Sequence, residues 1–114
     1  MNTQDFTFVP SLAAHVETPA EGILSRPLYT DAHIRATLFA MSPGEEMTEH
    51  TTTMEALLHF IEGEADITLG GEAFRAGPGA WVRMAPGLPH SITALTSLKM
   101  LLIVLRETRP EGTA

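Results

Sequence analysis

The sequence contains no cysteine and little positive charge. Its 114 residues include 7 Lys and Arg against 14 Asp and Glu, a formal net charge of -7. The lack of cysteine excludes disulfides, thiolate zinc sites and cysteine nucleophiles, so a metal would have to be held by histidine and carboxylate. Nucleic acids and anionic membranes both require concentrated positive charge in a partner. We therefore expect neither nucleic acid nor a membrane among the partners of this protein.

Long hydrophobic runs and helical periodicity are also missing. The longest apolar run, Met100 to Leu105, is far too short to cross a bilayer, and the N-terminus has neither a basic stretch nor the apolar segment of a signal peptide. A chain of this length accommodates one domain, which excludes a two-domain oxidoreductase or a kinase. These absences predict a single-domain cytoplasmic protein with little helix.

Glycine and proline interrupt the chain every several residues, which is typical of short β-strands joined by turns. Gly70-Gly71 predicts a tight hairpin, because both residues can adopt positive φ. A regular succession of short strands indicates a sandwich or a barrel. The predicted strands are Ile23–Thr30, Ile34–Met41, Glu55–Ile61, Ala65–Leu69, Glu72–Phe74, Trp81–Met84, His90–Ala94 and Lys99–Arg106.

The third predicted strand carries apolar residues on both of its faces. Alternation puts Ala56, Leu58 and Phe60 on one face and Leu57 and Ile61 on the other. Such a strand is covered both by the barrel interior and by something outside it. In a small protein the outside cover is often a second subunit, so we predict a homodimer.

Two spaced glycine and histidine motifs lie in the middle of the chain. In the first, five residues separate Gly44 from His50, and Gly63 closes the segment. In the second, Gly79 is followed after five residues by Ala85-Pro86-Gly87 and, after two more, by His90.

Together the motifs resemble those of the cupin superfamily, over residues 34–106. The resemblance implies an all-β fold, a double-stranded β-helix that forms an RmlC-like jelly-roll β-barrel. In that family, two histidines and a glutamate of the first motif and the histidine of the second are the metal ligands. Here His50 and His90 occupy two of these positions, whereas Thr52 and Ala56 replace the other histidine and the glutamate.

The resemblance makes His50 and His90 the candidate metal ligands, for a weakly held divalent Fe, Zn, Ni or Mn. A catalytic site of this type usually has about three protein ligands. The residues considered for the third position, none of which has a spacing that assigns it, are Glu46, Glu49, Thr52, Glu55 and His33. Without metal, the two histidines would form a hydrogen-bonded pair or serve as acid and base, because imidazole titrates near neutrality.

The same replacements predict an apolar pocket. Alanine and threonine in place of a carboxylate and an imidazole lower the polarity of the barrel interior, and flexible methionines suit a variable apolar ligand. The predicted pocket residues are Met47, Thr52, Ala56, Leu58 and Phe60.

These observations favour a small cupin that binds a small-molecule metabolite in its barrel, with His50 and His90 as polar anchors. Two alternatives stay open: a metal-dependent enzyme such as a dioxygenase or an isomerase, and a non-catalytic sensor or accessory module. We expect residues 1–33 to form N-terminal strands and a dimer arm, residues 34–106 the barrel, and residues 107–114 a loose tail.

Overall fold

Nine β-strands make up most of the chain that the computed structural model describes, which is residues 5–50 and 53–106, with the backbone alone at Glu49 and His50. A single turn of 3-10 helix at Ala13–His15 precedes them. No helix within these ranges is both long and apolar enough to cross a membrane. The strands are β1 (Ile23–Thr30), β2 (Ile34–Met41), β3 (Glu46–His50), β4 (Glu55–Glu62), β5 (Ala65–Leu69), β6 (Glu72–Ala76), β7 (Trp81–Met84), β8 (His90–Ala94) and β9 (Leu98–Leu105).

The strands form two antiparallel sheets that face each other. The five-stranded sheet has the order β1-β2-β9-β4-β7, and the four-stranded sheet has the order β3-β8-β5-β6. Neighbours in each sheet are mostly far apart in sequence, because the chain crosses repeatedly from one sheet to the other. This topology confirms the predicted jelly-roll β-barrel.

One strand, β3, is absent from the sequence prediction. It contains a single apolar residue, Met47, so alternation of apolar and polar residues does not mark it. The strand is defined by its backbone pairing with β8, which places it in the four-stranded sheet. The other eight strands lie where they are predicted, with ends that differ by one or two residues at β4, β6 and β9.

The main hydrophobic core lies between the two sheets and follows from strand alternation. On β4, for example, Ala56, Leu58 and Phe60 face inwards, as predicted, and the residues between them face outwards. The buried members of this core are Met41, Ala56, Leu58, Phe60, Ala65, Ile67, Ala76, Met84, Ile92, Ala94, Leu98, Met100 and Val104.

A second cluster covers part of the outer face of the five-stranded sheet. Leu38 of β2 and Leu101 of β9 are buried there against Val16 and the partly buried Leu12. The N-terminal segment of the same chain therefore covers the outer face of the sheet over β2 and β9. No local signal in the sequence marks this contact.

Lys99 fastens that segment to the sheet. Its Nζ donates a hydrogen bond of 2.6 Å to the carbonyl oxygen of Ala13 and lies 3.8 Å from a carboxylate oxygen of Glu62. The Lys99 side chain is only 15% exposed, so this interaction is largely shielded from water.

We expect Lys99→Met to lower the free energy of unfolding by about 1–2 kcal/mol, because methionine keeps the apolar stem but leaves the Ala13 carbonyl without its charged donor. Urea unfolding followed by circular dichroism measures the change. Arg35→Met, which removes an exposed cation from β2, should cost less than about 0.5 kcal/mol. Equal losses of unfolding free energy in the two variants would show that the hydrogen bond from Lys99 to Ala13 adds nothing to the effect of removing a positive charge.

The turn between β1 and β2 is closed by a carboxylate. Oδ1 of Asp31 accepts hydrogen bonds from the backbone N–H groups of His33 (2.7 Å) and Ile34 (2.9 Å), and Oδ2 accepts one from the Tyr29 hydroxyl (2.7 Å). These donors, the His33 N–H first, lower the pKa of Asp31 to about 2, and the same carboxylate raises the pKa of Tyr29. Asp31 therefore fixes the turn in its ionised form.

Candidate functional site

His90 is a buried polar residue at one end of the barrel. It begins β8 and alternates with the inward-facing Ile92 and Ala94, and it is 5% exposed. Its Nδ1 lies 3.0 Å from the carbonyl oxygen of Leu88. Since a carbonyl can only accept, Nδ1 carries the proton of this hydrogen bond.

The turn before β8 sets this geometry. The Leu88 N–H donates to the carbonyl oxygen of Ala85 at 3.2 Å, and Gly87 between them has φ of +84°. A positive φ at this position favours glycine, so the Pro-Gly sequence of the second motif builds the turn. This turn positions the Leu88 carbonyl oxygen, which orients the His90 ring.

The strand register brings the two candidate metal ligands to adjacent strands. The Cα atom of His50 on β3 is the cross-strand partner of that of His90 on β8, and on the other side of β8 the partner is Leu69. The side chain of His50 and the whole of Thr52 lie outside the described residues. The two sequence motifs do not show that the backbones of His50 and His90 are paired across adjacent strands.

The described residues do not fit a metal site. At the position of the family glutamate, Ala56 is buried beside its cross-strand partner Met84. Glu55 points away from the interior and pairs with Arg83, as strand alternation predicts. Across residues 5–48 and 53–106, no three histidine or carboxylate side chains come together in an arrangement that could hold an ion.

The remaining candidates for a third ligand lie elsewhere. Glu46 is exposed at the start of β3, and His33 is exposed in the turn between β1 and β2. The side chain of Glu49 lies outside the described residues. We therefore derive no chemistry through a metal.

Four of the five predicted pocket residues come together on the inner side of the barrel. Ala56, Leu58 and Phe60 are fully buried in the main core, and Met47 is partly buried against the same core. The fifth, Thr52, lies outside the described residues. The surroundings of these residues are apolar, with methionines from β2, β7 and β9 among them.

A cleft of about 360 Å³ opens between the free edges of β6 and β7. Its inner wall includes Ile67 and Leu69, and Leu69 is the cross-strand partner of His90. Phe74 and Trp81 lie at its rim, with 49% and 62% of their surface exposed. The sequence analysis does not identify this cleft, although large aromatic residues on two short strands were an available signal. Its remaining lining residues are Arg75, Ala76, Ala80, Val82 and Arg83.

Comparison with known proteins identifies the family. The cupin domain family model matches residues 37–105. Among solved structures, a conserved protein of unknown function from Streptococcus pyogenes is 28% identical with a TM-score of 0.82, and the match covers 95% of both chains. A cupin superfamily protein from Desulfitobacterium hafniense DCB-2 is 26% identical with a TM-score of 0.81, over 92% of this chain and 94% of that one.

An enzyme is among the more distant structural neighbours. A salicylate 1,2-dioxygenase variant from Pseudoaminobacter salicylatoxidans is 17% identical with a TM-score of 0.69, over 76% of this chain and 27% of that one. At this identity the likeness concerns the fold alone. No sequence in the comparison with curated proteins matches this chain.

Proposed function

This chain belongs to the cupin domain family, and from that premise we propose that it binds a small metabolite in the apolar end of its barrel, anchored by His90 and His50. The observation that carries the proposal is the buried His90 imidazole on the inner face, oriented by the Leu88 carbonyl. A buried polar group on an apolar wall is costly unless it is satisfied, so it marks a position where polar contacts are made.

The chemistry around His90 narrows the class of ligand. Ala56 and Met84 occupy the wall where the family pattern has a carboxylate, so a compact, mainly apolar molecule fits better than a cation. An imidazole takes part in hydrogen bonds through its ring nitrogens, so a ligand with a hydroxyl or an amide group would suit this position. The cleft beside Leu69 supports an approach to this end of the barrel from the β6 and β7 edges.

A fragment screen tests the proposal directly. Small neutral aromatic alcohols and amides are added to the purified protein, and the imidazole 15N and methionine methyl signals are followed by NMR. We expect binders to shift the His90 ring and Met84 signals, and His90→Phe to weaken their binding at least tenfold. The matched control, His33→Gln, removes an exposed histidine from the β1–β2 turn and should leave binding unchanged.

Other outcomes identify the alternatives. Stoichiometric binding of Fe, Zn, Ni or Mn that is lost in both His50→Ala and His90→Ala would overturn a metal-free pocket and favour a metal-dependent enzyme. Fragment binding that is insensitive to His90→Phe would overturn the histidine anchor. If no fragment binds, and a protein partner is captured equally well by the unmodified protein and by His90→Phe, the accessory module is favoured.

A further inference from the structure

The cleft between β6 and β7 exposes an aromatic side chain that the fold directs inwards. Phe74 is the cross-strand partner of Ile67, which is 3% exposed in the main core. Since paired residues of adjacent antiparallel strands share one face of the sheet, Phe74 points between the two sheets. Yet 49% of its surface is exposed, whereas Ala76, two residues further along the same face, is 3% exposed. The space between the sheets is thus open at Phe74.

This opening follows from the order of the strands. β6 is the last strand of the four-stranded sheet and β7 the last strand of the five-stranded sheet, and neither has a partner on its other side among the described residues. The cleft between these two edges has a volume of about 360 Å³. Sites for small molecules have volumes of roughly 300–1,000 Å³. The cleft therefore has the size of a site for one small ligand.

The charge of the cleft is opposite in sign to that of the whole molecule. The only charged residues among its described lining residues are Arg75 on the β6 side and Arg83 on the β7 side, and the other lining residues are apolar. The chain as a whole has 14 Asp and Glu against 7 Lys and Arg, so a cleft lined by cations alone departs from the general composition. Such a lining favours a ligand that combines an apolar body with a negative charge.

Carboxylates outside the cleft hold both guanidinium groups in place. Nε of Arg75 donates a hydrogen bond of 2.9 Å to Oδ1 of Asp66, and its Nη1 lies 3.9 Å from a carboxylate oxygen of Glu64. Nε of Arg83 donates to Oε2 of Glu55. None of these three acids lines the cleft. A guanidinium has five N–H donors, and these hydrogen bonds use the Nε–H of each arginine, so the Nη–H groups can donate to an anion in the cleft.

We propose that the cleft between β6 and β7 binds a small aromatic carboxylate, with its ring packed on Phe74 and its carboxylate at Arg75 and Arg83. A ring on Phe74 closes the opening between the sheets and removes the exposed face of this side chain from water. The planar guanidinium presents a fork of N–H donors that matches a carboxylate. The ligand and its position differ from those proposed at His90, and the proposal does not depend on binding there.

Two probes of nearly the same shape separate charge from packing. 2-Naphthoate and 2-naphthamide share one ring system, but only the first carries a negative charge. Each is titrated into 15N-labelled protein, and binding is measured by NMR from the indole N–H of Trp81, the single tryptophan, at the rim of the cleft. We expect 2-naphthoate to shift this signal and the Nε–H signals of Arg75 and Arg83. It should bind about fivefold more tightly than 2-naphthamide, since exposed ion pairs contribute modestly.

Paired substitutions test the arginines and the ring separately. Arg75→Gln with Arg83→Gln should abolish the difference in affinity between the two probes. Arg26→Gln with Arg35→Gln, which removes two exposed cations from β1 and β2, changes the net charge equally and should leave the difference intact. Phe74→Ala should weaken both probes by about fivefold, because each loses the same aromatic contact.

Several results would overturn the proposal. These are failure of 2-naphthoate to shift the Trp81 signal, equal affinities of the two probes for the unmodified protein, binding unchanged by Phe74→Ala, and loss of the difference in the Arg26 and Arg35 control. Weaker binding of 2-naphthoate to His90→Phe would place the acid at His90 and would overturn it too. Binding of neutral fragments at His90 is followed separately, through the signals of its ring and of Met84, so failure of one proposal is distinguishable from failure of the other.

Discussion

Gly63→Ala is expected to lower the free energy of unfolding by at least about 3 kcal/mol. Gly63 has φ of +86°, where an L-residue with a Cβ is strained by about 1–3 kcal/mol. A Cβ at this position would also lie 1.9 Å from the carbonyl oxygen of Ser97, a distance that only a backbone shift can relieve. Urea unfolding followed by circular dichroism, at one fixed protein concentration, measures the loss.

The backbone around Gly63 has little freedom to move. The next residue, Glu64, donates its N–H to Oγ1 of Thr96 at 3.0 Å and accepts at its carbonyl from the N–H of Leu95 at 2.8 Å. The turn after β4 is therefore bonded to the turn between β8 and β9. A shift at Gly63 or Ser97 would disturb these bonds, so we expect the strain to remain.

Gly44→Ala is the matched control for Gly63→Ala. Gly44 belongs to the same sequence motif and has φ of +88°, but a Cβ there would meet nothing within 4 Å. Its cost should be limited to the backbone strain, about 1–2 kcal/mol. Equal losses in the two variants would contradict the close approach of Ser97 as the cause.

The fold was largely predictable because its signals are local. Turn glycines and alternating apolar residues mark eight strands, and two spaced motifs mark the barrel. The strand Glu46–His50 was not predicted, because Met47 is its only apolar residue. It is placed in the sheet by backbone pairing with β8. The bond between Lys99 and Ala13 joins residues 86 positions apart, and no local pattern of either segment predicts it.

The candidate site was predictable in its residues but less so in its geometry. The motif spacing singles out His90, yet its burial and its bond to Leu88 depend on the turn before β8. Glu55 points away from the interior, an orientation that follows from strand alternation alone. The exposure of Trp81 could not be predicted from the sequence, because it depends on which strand forms the edge of the sheet.

The low polarity of the barrel interior follows from the positions of Ala56 and Glu55 on β4. Ala56 lies next to Met84 where the family pattern has a glutamate, and the carboxylate of its neighbour Glu55 is engaged by Arg83. Among the described residues, the buried side chains are apolar apart from Ser42 and His90, so the acidic side chains described lie outside the core. This arrangement makes hydrophobic packing the main determinant of stability.

Phe60→Ala should therefore be among the most destabilising substitutions, with an expected loss of about 3–5 kcal/mol in the free energy of unfolding. Phe60 is 0% exposed and is one of the largest fully buried side chains of the core. Its removal deletes many close contacts, and the two sheets cannot both move in to fill the space because their strands are hydrogen-bonded to neighbours. The loss is measured by urea unfolding at the protein concentration used for Gly63→Ala.

Phe74→Ala separates the effect of burial from the effect of losing a phenyl ring. Phe74 lies at the rim of the cleft between β6 and β7 with 49% of its surface exposed, so its truncation should cost less than about 1.5 kcal/mol. Similar losses for Phe60 and Phe74 would mean that Phe60 borders open space, as a pocket residue would, instead of a packed core. A large difference would show that Phe60 lies in a packed core.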